Sequence, residues 1–147
     1  MKKKILLVLG IVFAVVFAAT IGLTVYMGQA TSLVSDTGIK TGQQNNVIGY
    51  DAEIDTFFIG TRSGKLVAYD NATKDVKWEL ELEGSKPINA MVVRPATDRI
   101  YIGSDDNHVY TIDLSTGDII STIDIQRRVM DLDVSTDESK VVVATKS

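Results

Sequence analysis

The chain has 147 residues, 45% of them hydrophobic, with no cysteine, one histidine and a formal net charge of -4. Zero cysteines excludes disulfides and a lipid-modified N-terminal cysteine. Without Lys2, Lys3 and Lys4 the rest carries 12 basic against 19 acidic residues, a net of -7. It has no basic patch of the kind nucleic-acid binding needs, so no nucleic-acid partner is expected.

Ile5 to Met27 is a run of 23 residues without a charge. About 20 apolar residues span a bilayer as a helix. The three lysines before the run hold the N terminus in the cytoplasm. Residues 1–27 therefore read as a single-pass anchor in the cytoplasmic membrane. Everything after it lies outside, in the extracellular or periplasmic space, and the lipid bilayer is a partner. Gly28-Gln29-Ala30 also fits a small-x-small cleavage site, so a cleaved signal peptide is the alternative. Gly10, Ala14, Ala18 and Gly22 recur every four residues, a candidate helix–helix face for self-association. An Ala- and Gly-rich composition explains the same stripe. Residues 28–45 are rich in Gly, Ser, Thr and Gln and read as a flexible tether.

Residues 46–147 alternate short Val/Ile/Tyr-rich runs with clusters of Gly, Asp, Asn and Ser, the pattern of many short antiparallel strands. An internal repeat organises them. FFIGTRSGKLVAYDNATKD (57–75) aligns with IYIGSDDNHVYTIDLSTGD (100–118) at an offset of 43 residues, and DRIYIGS (98–104) aligns with SKVVVAT (139–145) at an offset of 41. Both spacings match the roughly 40–50-residue period of four-stranded propeller blades. The predicted strands are 46–50, 56–60, 65–69 and 77–82 in one unit, then 88–93, 100–104, 108–113 and 119–125, then 129–134 and 140–145. The expected fold is all-β: about two and a half four-stranded antiparallel blades (46–86, 87–127 and an incomplete 128–147) behind one transmembrane helix.

The turns have their own chemistry. Arg62-Ser63-Gly64 and Asp105-Asp106-Asn107 join second strands to third, where Gly and Asn tolerate positive φ. Asp70 and Asp113 can accept backbone N–H bonds two or three residues on, and Gly117 can take the left-handed position where the first unit has Lys74. In Trp78-Glu79-Leu80-Glu81-Leu82 the apolar residues share one face of a strand and the glutamates the other.

Gly64-Lys-Leu-Val-Ala68-Tyr-Asp70-Asn-Ala-Thr73-Lys-Asp-Val-Lys-Trp78 resembles the quinoprotein-type (PQQ-type) propeller repeat, which runs Ala-x-Asp, Thr-Gly, Trp. Val109-Tyr-Thr-Ile-Asp113-Leu-Ser-Thr-Gly117 is similar to the related YVTN-type and WD-like repeats. The resemblance covers about residues 46–147. It implies structural roles for Gly60, Ala68, Asp70, Trp78, Gly103, Asp113 and Gly117, with the tryptophan packed between blades and the Asp-to-Gly stretch forming a turn. Lys74 departs from the pattern where it prefers Gly, and Ser121 stands where the second blade would carry Trp.

The sharper chemical readings lack residues to carry them. A quinone site needs residues from several blades of a complete ring. Asp105, Asp106, Asn107, Asp131 and Asp133 lack the spacing of a calcium loop and read as solvated turn and strand positions. His108 has no recognisable metal or catalytic partners. No catalytic, cofactor-binding or metal residue is assigned, and no cofactor is expected. Asn71-Ala72-Thr73 is an N-glycosylation sequon on an expected turn.

A propeller needs about four to eight blades, and unclosed repeats leave apolar faces and edges exposed. The chain is therefore expected to be the N-terminal part of a longer protein. Otherwise it self-associates, another chain completes it, or the two and a half blades form a small open sheet stack. The functional expectation is a binding or scaffold module that presents loops to a protein, peptide or glycan partner, and not an enzyme in itself. The alternative is the front part of a quinoprotein-like dehydrogenase or other propeller enzyme whose active residues lie further on.

Overall fold

The computed structural model describes residues 41–146. The expected anchor, its small-residue face at Gly10, Ala14, Ala18 and Gly22, and most of the tether lie outside the described residues. Among the described residues no helix is long and apolar enough to cross a membrane.

Among the described residues ten strands follow one another: β1 (Asn45–Asp51), β2 (Thr56–Thr61), β3 (Lys65–Asp70), β4 (Val76–Glu81), β5 (Ile88–Arg94), β6 (Arg99–Ser104), β7 (His108–Asp113), β8 (Ile119–Asp124), β9 (Arg128–Val134) and β10 (Val141–Lys146). A short 3-10 turn, Pro95–Thr97, lies between β5 and β6. They form three antiparallel meanders: β1-β2-β3-β4, β5-β6-β7-β8 and the pair β9-β10. The all-β architecture of two four-stranded sheets and one two-stranded sheet follows from the alternation and turn residues of the repeat. β1 begins at Asn45, inside the stretch whose composition reads as tether. Just before it, the Gln44 carbonyl already accepts the Arg62 N–H at 2.9 Å.

The core lies between sheets. Phe58, Leu66 and Ala68 of the first blade meet Ile100, Ile102, Tyr110 and Ile112 of the second, with Val47, Trp78 and Leu80 packed against them. Ala90, Tyr101 and Val109 of the second blade meet Val129, Leu132 and Val134 of the third. Each blade therefore needs the next to bury its face.

Gly60 and Gly103 occupy the same place in successive blades and set how closely they approach. A Cβ at Gly60 would lie 2.7 Å from Val47 Cγ1 and 2.9 Å from Ile88 Cγ2 of the next blade. One at Gly103 would overlap Val129 in the same way. Replacing Gly60 by valine is expected to cost ~1–3 kcal/mol by overpacking this junction. The loss should appear as a lowered midpoint in urea unfolding followed by circular dichroism, with Ala72→Val on an exposed turn as the unaffected control.

Candidate functional site

Three parts build the junction between the first two blades, and the turn and the bulge recur in later blades. The first is a turn. The Asp70 carboxylate accepts the N–H groups of Ala72 and Thr73, both at 2.9 Å, and Asp113 accepts those of Ser115 and Thr116 at 3.0 and 2.8 Å. These bonds, that from Thr73 foremost, hold the Asp70 carboxyl below its ordinary range. The two turns close with the same backbone bonds, Lys74 N–H to the Asp70 carbonyl and Gly117 N–H to the Asp113 carbonyl. Lys74 (φ 65°) and Gly117 (φ 81°) are both left-handed, so the lysine departure keeps the turn.

The second part is Trp78. Its indole N–H donates to the Leu114 carbonyl of the neighbouring blade at 3.0 Å, and its ring lies 5.8 Å from that of Phe58. A Cβ at Gly117 would sit 2.6 Å from the indole ring, so that glycine serves both the turn and the close approach of the tryptophan. Ser121, at the equivalent strand position of the second blade, is exposed. Ala68, opposite Trp78 on β3, is fully buried. Gly117→Ala is expected to cost ~1–2 kcal/mol from the left-handed backbone alone. The chain's single tryptophan reports the result: its emission should shift to the red in G117A as the ring loses its neighbour.

The third part was not singled out by sequence reasoning. The first strand of every blade carries one extra residue against its partner. Pairing skips Asn46 between Asn45 and Val47, Asn89 between Ile88 and Ala90, and Met130 between Val129 and Asp131. A bulge re-aims the side chain it carries. Asn46 Nδ2 donates across the junction to the Ile88 carbonyl at 2.8 Å, and Asn89 Nδ2 to the Val129 carbonyl at 2.8 Å. Asn46 also reaches Asn89 Oδ1 at 3.1 Å, and Asn89 reaches Asp105 at 2.7 Å. The two asparagines are 43 residues apart, the repeat offset itself, and that spacing is the signal that would have found them. The third blade has Met130 at this place, 44% exposed.

The remaining candidates are tied locally. Asn71 Nδ2, the sequon nitrogen, donates to Asp55 at 2.9 Å, and Lys74 Nζ reaches Asn71 Oδ1 at 2.6 Å. Asp131 and Asp133 accept the N–H groups of Leu132 and Val134. Among the described residues no group of three or more His, Asp or Glu is placed to hold a metal ion.

A cleft of about 450 Å³ opens between the outer parts of the first two blades, lined by Glu81, Glu83, Asp106, His108, Tyr110 and Thr122 among others. Asp106 accepts the Tyr110 hydroxyl at 2.7 Å and the His108 N–H at 3.0 Å. His108 Nδ1 lies 3.4 Å from Asp106 without forming a hydrogen bond. Burial first, and then Asp106, push the Tyr110 hydroxyl well above its ordinary pKa, which keeps it a neutral donor.

The third blade is clamped to the second by Glu138, whose side chain is 10% exposed. It accepts the Thr97 hydroxyl at 2.5 Å and the Tyr101 hydroxyl at 2.7 Å, with Arg99 3.8 Å away. These bonds, Thr97's first, hold its carboxyl below its ordinary value of 4.5. A lowered folded pKa stabilises the fold above the ordinary value, and the contribution is lost as pH falls through the folded value. Asp55, Asp70 and Asp137 are lowered too and act in the same window. Glu138→Gln should therefore narrow, without abolishing, the difference in thermal midpoint between about pH 6 and about pH 3.

Blades stacked in this way define a β-propeller segment. Two solved structures share the fold. The β-propeller domain of Myceliophteria thermophila Cps50 (Swd1) superposes with a TM-score of 0.65 at 16% identity, over 71% of this chain and 33% of that one. Saccharomyces cerevisiae Sqt1 superposes with a TM-score of 0.56 at 18% identity, over 67% of this chain and 27% of that one. The chain thus spans a third or less of either. No curated protein matches it. The family described as outer membrane protein assembly factor BamB matches residues 29–146, and the chain belongs to that family.

Proposed function

We infer that this chain is a membrane-tethered, extracytoplasmic propeller segment that serves as a binding and scaffold module. One observation carries the reading: the polar residues that the repeat places in register are taken up by the fold itself. Asp70, Asp113, Asn46 and Asn89 are all engaged in turns or junctions. What the fold leaves open is sheet edges and end loops, the surfaces with which propellers meet other molecules. The family description, outer membrane protein assembly factor, fits a role in holding other proteins outside the cytoplasm. The uncharged run Ile5–Met27 behind three lysines supplies the tether. The alternative is the front of a quinoprotein-like dehydrogenase.

The absence of cysteine makes the topology directly testable, because a single Ala72→Cys is then the only thiol. A membrane-impermeant maleimide should label A72C in intact cells, and labelling only after lysis would overturn the extracytoplasmic placement. An immunoblot of host membranes gives the mass of the native polypeptide and tells a longer chain from a completing partner. A quinone chromophore bound to the native protein would replace the scaffold reading with the dehydrogenase one.

A further inference from the structure

The outer strands of the first two blades occupy the same place in the repeat and treat their open edges in opposite ways. Among the described residues neither β4 nor β8 has a further strand beside it. Each has one extra residue against the strand inside it: Lys77, skipped between Val76 and Trp78, and Ile120, skipped between Ile119 and Ser121. Lysine on an edge, and a bulge, both discourage a new strand from pairing there. Lys77 is folded back over its own blade: its ammonium group donates to Thr56 Oγ1 at 2.7 Å and the Ile54 carbonyl at 3.3 Å, and lies 3.6 Å from Asp70. Glu79 and Glu81 on the same strand add charge, with Glu79 paired to Lys65 at 2.6 Å. β8 keeps the bulge but has no lysine or other charged guard beside it. It carries no charge from Ile119 to Ile123, and Ile119, Ile120 and Ile123 are 44%, 52% and 50% exposed.

We propose that β8 is a docking edge for an extended peptide in which basic residues alternate with β-branched apolar ones. The alternation follows from the pleat. Residues of an added strand point to opposite faces in turn, in step with the strand they join. On one face β8 presents Thr122, which lines the cleft formed with Glu81, Glu83 and Asp106. Lysine or arginine at alternate positions would reach those carboxylates. On the other face it presents Ile123, opposite Val109, where valine or isoleucine would extend the apolar surface. The uncharged edge beyond the bulge, Ser121 to Ile123, supplies the backbone ladder, and the acidic cleft supplies charge complementarity. The proposal rests on the binding-module reading and names its partner's chemistry and place.

The test uses the full chain in detergent micelles and a fluorescein-labelled octapeptide alternating lysine with valine, followed by fluorescence anisotropy. The expected result is saturable binding, weakened about tenfold or more by N-methylation of alternate peptide nitrogens, which removes the ladder. Ile120→Lys, which copies the guard of the first blade, should weaken it comparably. Glu81→Gln with Glu83→Gln should weaken binding of the lysine peptide and leave an alternating serine–valine peptide unaffected. Amides of β8 should gain hydrogen-exchange protection when the lysine peptide is added. Equal binding of the N-methylated peptide, indifference to I120K in a protein whose Trp78 emission is unchanged, or no binding at all would overturn the proposal. Concentration-dependent self-association abolished by I120K, without peptide binding, would instead identify a second copy of the chain as the occupant. Failure of peptide binding while A72C is still labelled from outside would sink this inference and leave the tethered-module reading standing.

Discussion

Everything in this fold depends on how closely one sheet can lie on the next. A four-stranded meander has two faces, and here the apolar core exists only where two of them meet. The missing side chains of Gly60 and Gly103 let the first strand of the following blade settle onto the sheet. The bulge in that strand then turns an asparagine toward the next backbone, and at the outer end Trp78 reaches over Gly117 to the Leu114 carbonyl. Apolar burial supplies most of the driving force, but it is non-directional. The asparagine and indole hydrogen bonds give the junction its register.

This arrangement assigns the conspicuous polar residues to architecture. The aspartates that mark the repeat hold turns together, and the sequon asparagine is bound to Asp55. The Asp106–Tyr110 pair forms one wall of a cleft between blades. Binding surfaces then fall to what the repeat does not hold constant. At matching places in the outer strands, one blade has a lysine folded onto its own sheet and the other an exposed isoleucine. Differences between copies of a repeat point to recognition more directly than features the copies share.

Much of the fold could be read from the chain. Strand positions follow from period-two alternation bounded by Gly, Asp and Asn, and the 43-residue offset sets the blades in register. The Asp70 and Asp113 turns were legible because an aspartate side chain bonds backbone groups only two and three residues away. The junctions were harder to read. Asn46 and Asn89 look like ordinary strand-start residues until a bulge aims them sideways, and the carbonyls they reach lie about 40 residues further on. The cleft is assembled from Glu81 and Glu83 at the end of one blade and Asp106 in a hairpin turn of the next, a spacing that matches no local motif. Asn45 reads as part of the tether because its polar neighbours outweigh the strand signal, although the backbone there already pairs with the end of β2 and the turn after it.

The asparagine braces all point one way along the chain. Asn46 donates forward to the carbonyl of Ile88, and Asn89 forward to that of Val129. During synthesis, which proceeds from the N terminus, each brace is made before its acceptor. The acceptor arrives only with the first strand of the blade behind it. Every junction is thus closed by the newer blade, so the stack tightens in the order in which it is made. At the third blade the forward-reaching amide gives way to the thioether of Met130, a soft, adaptable side chain in place of a fixed donor.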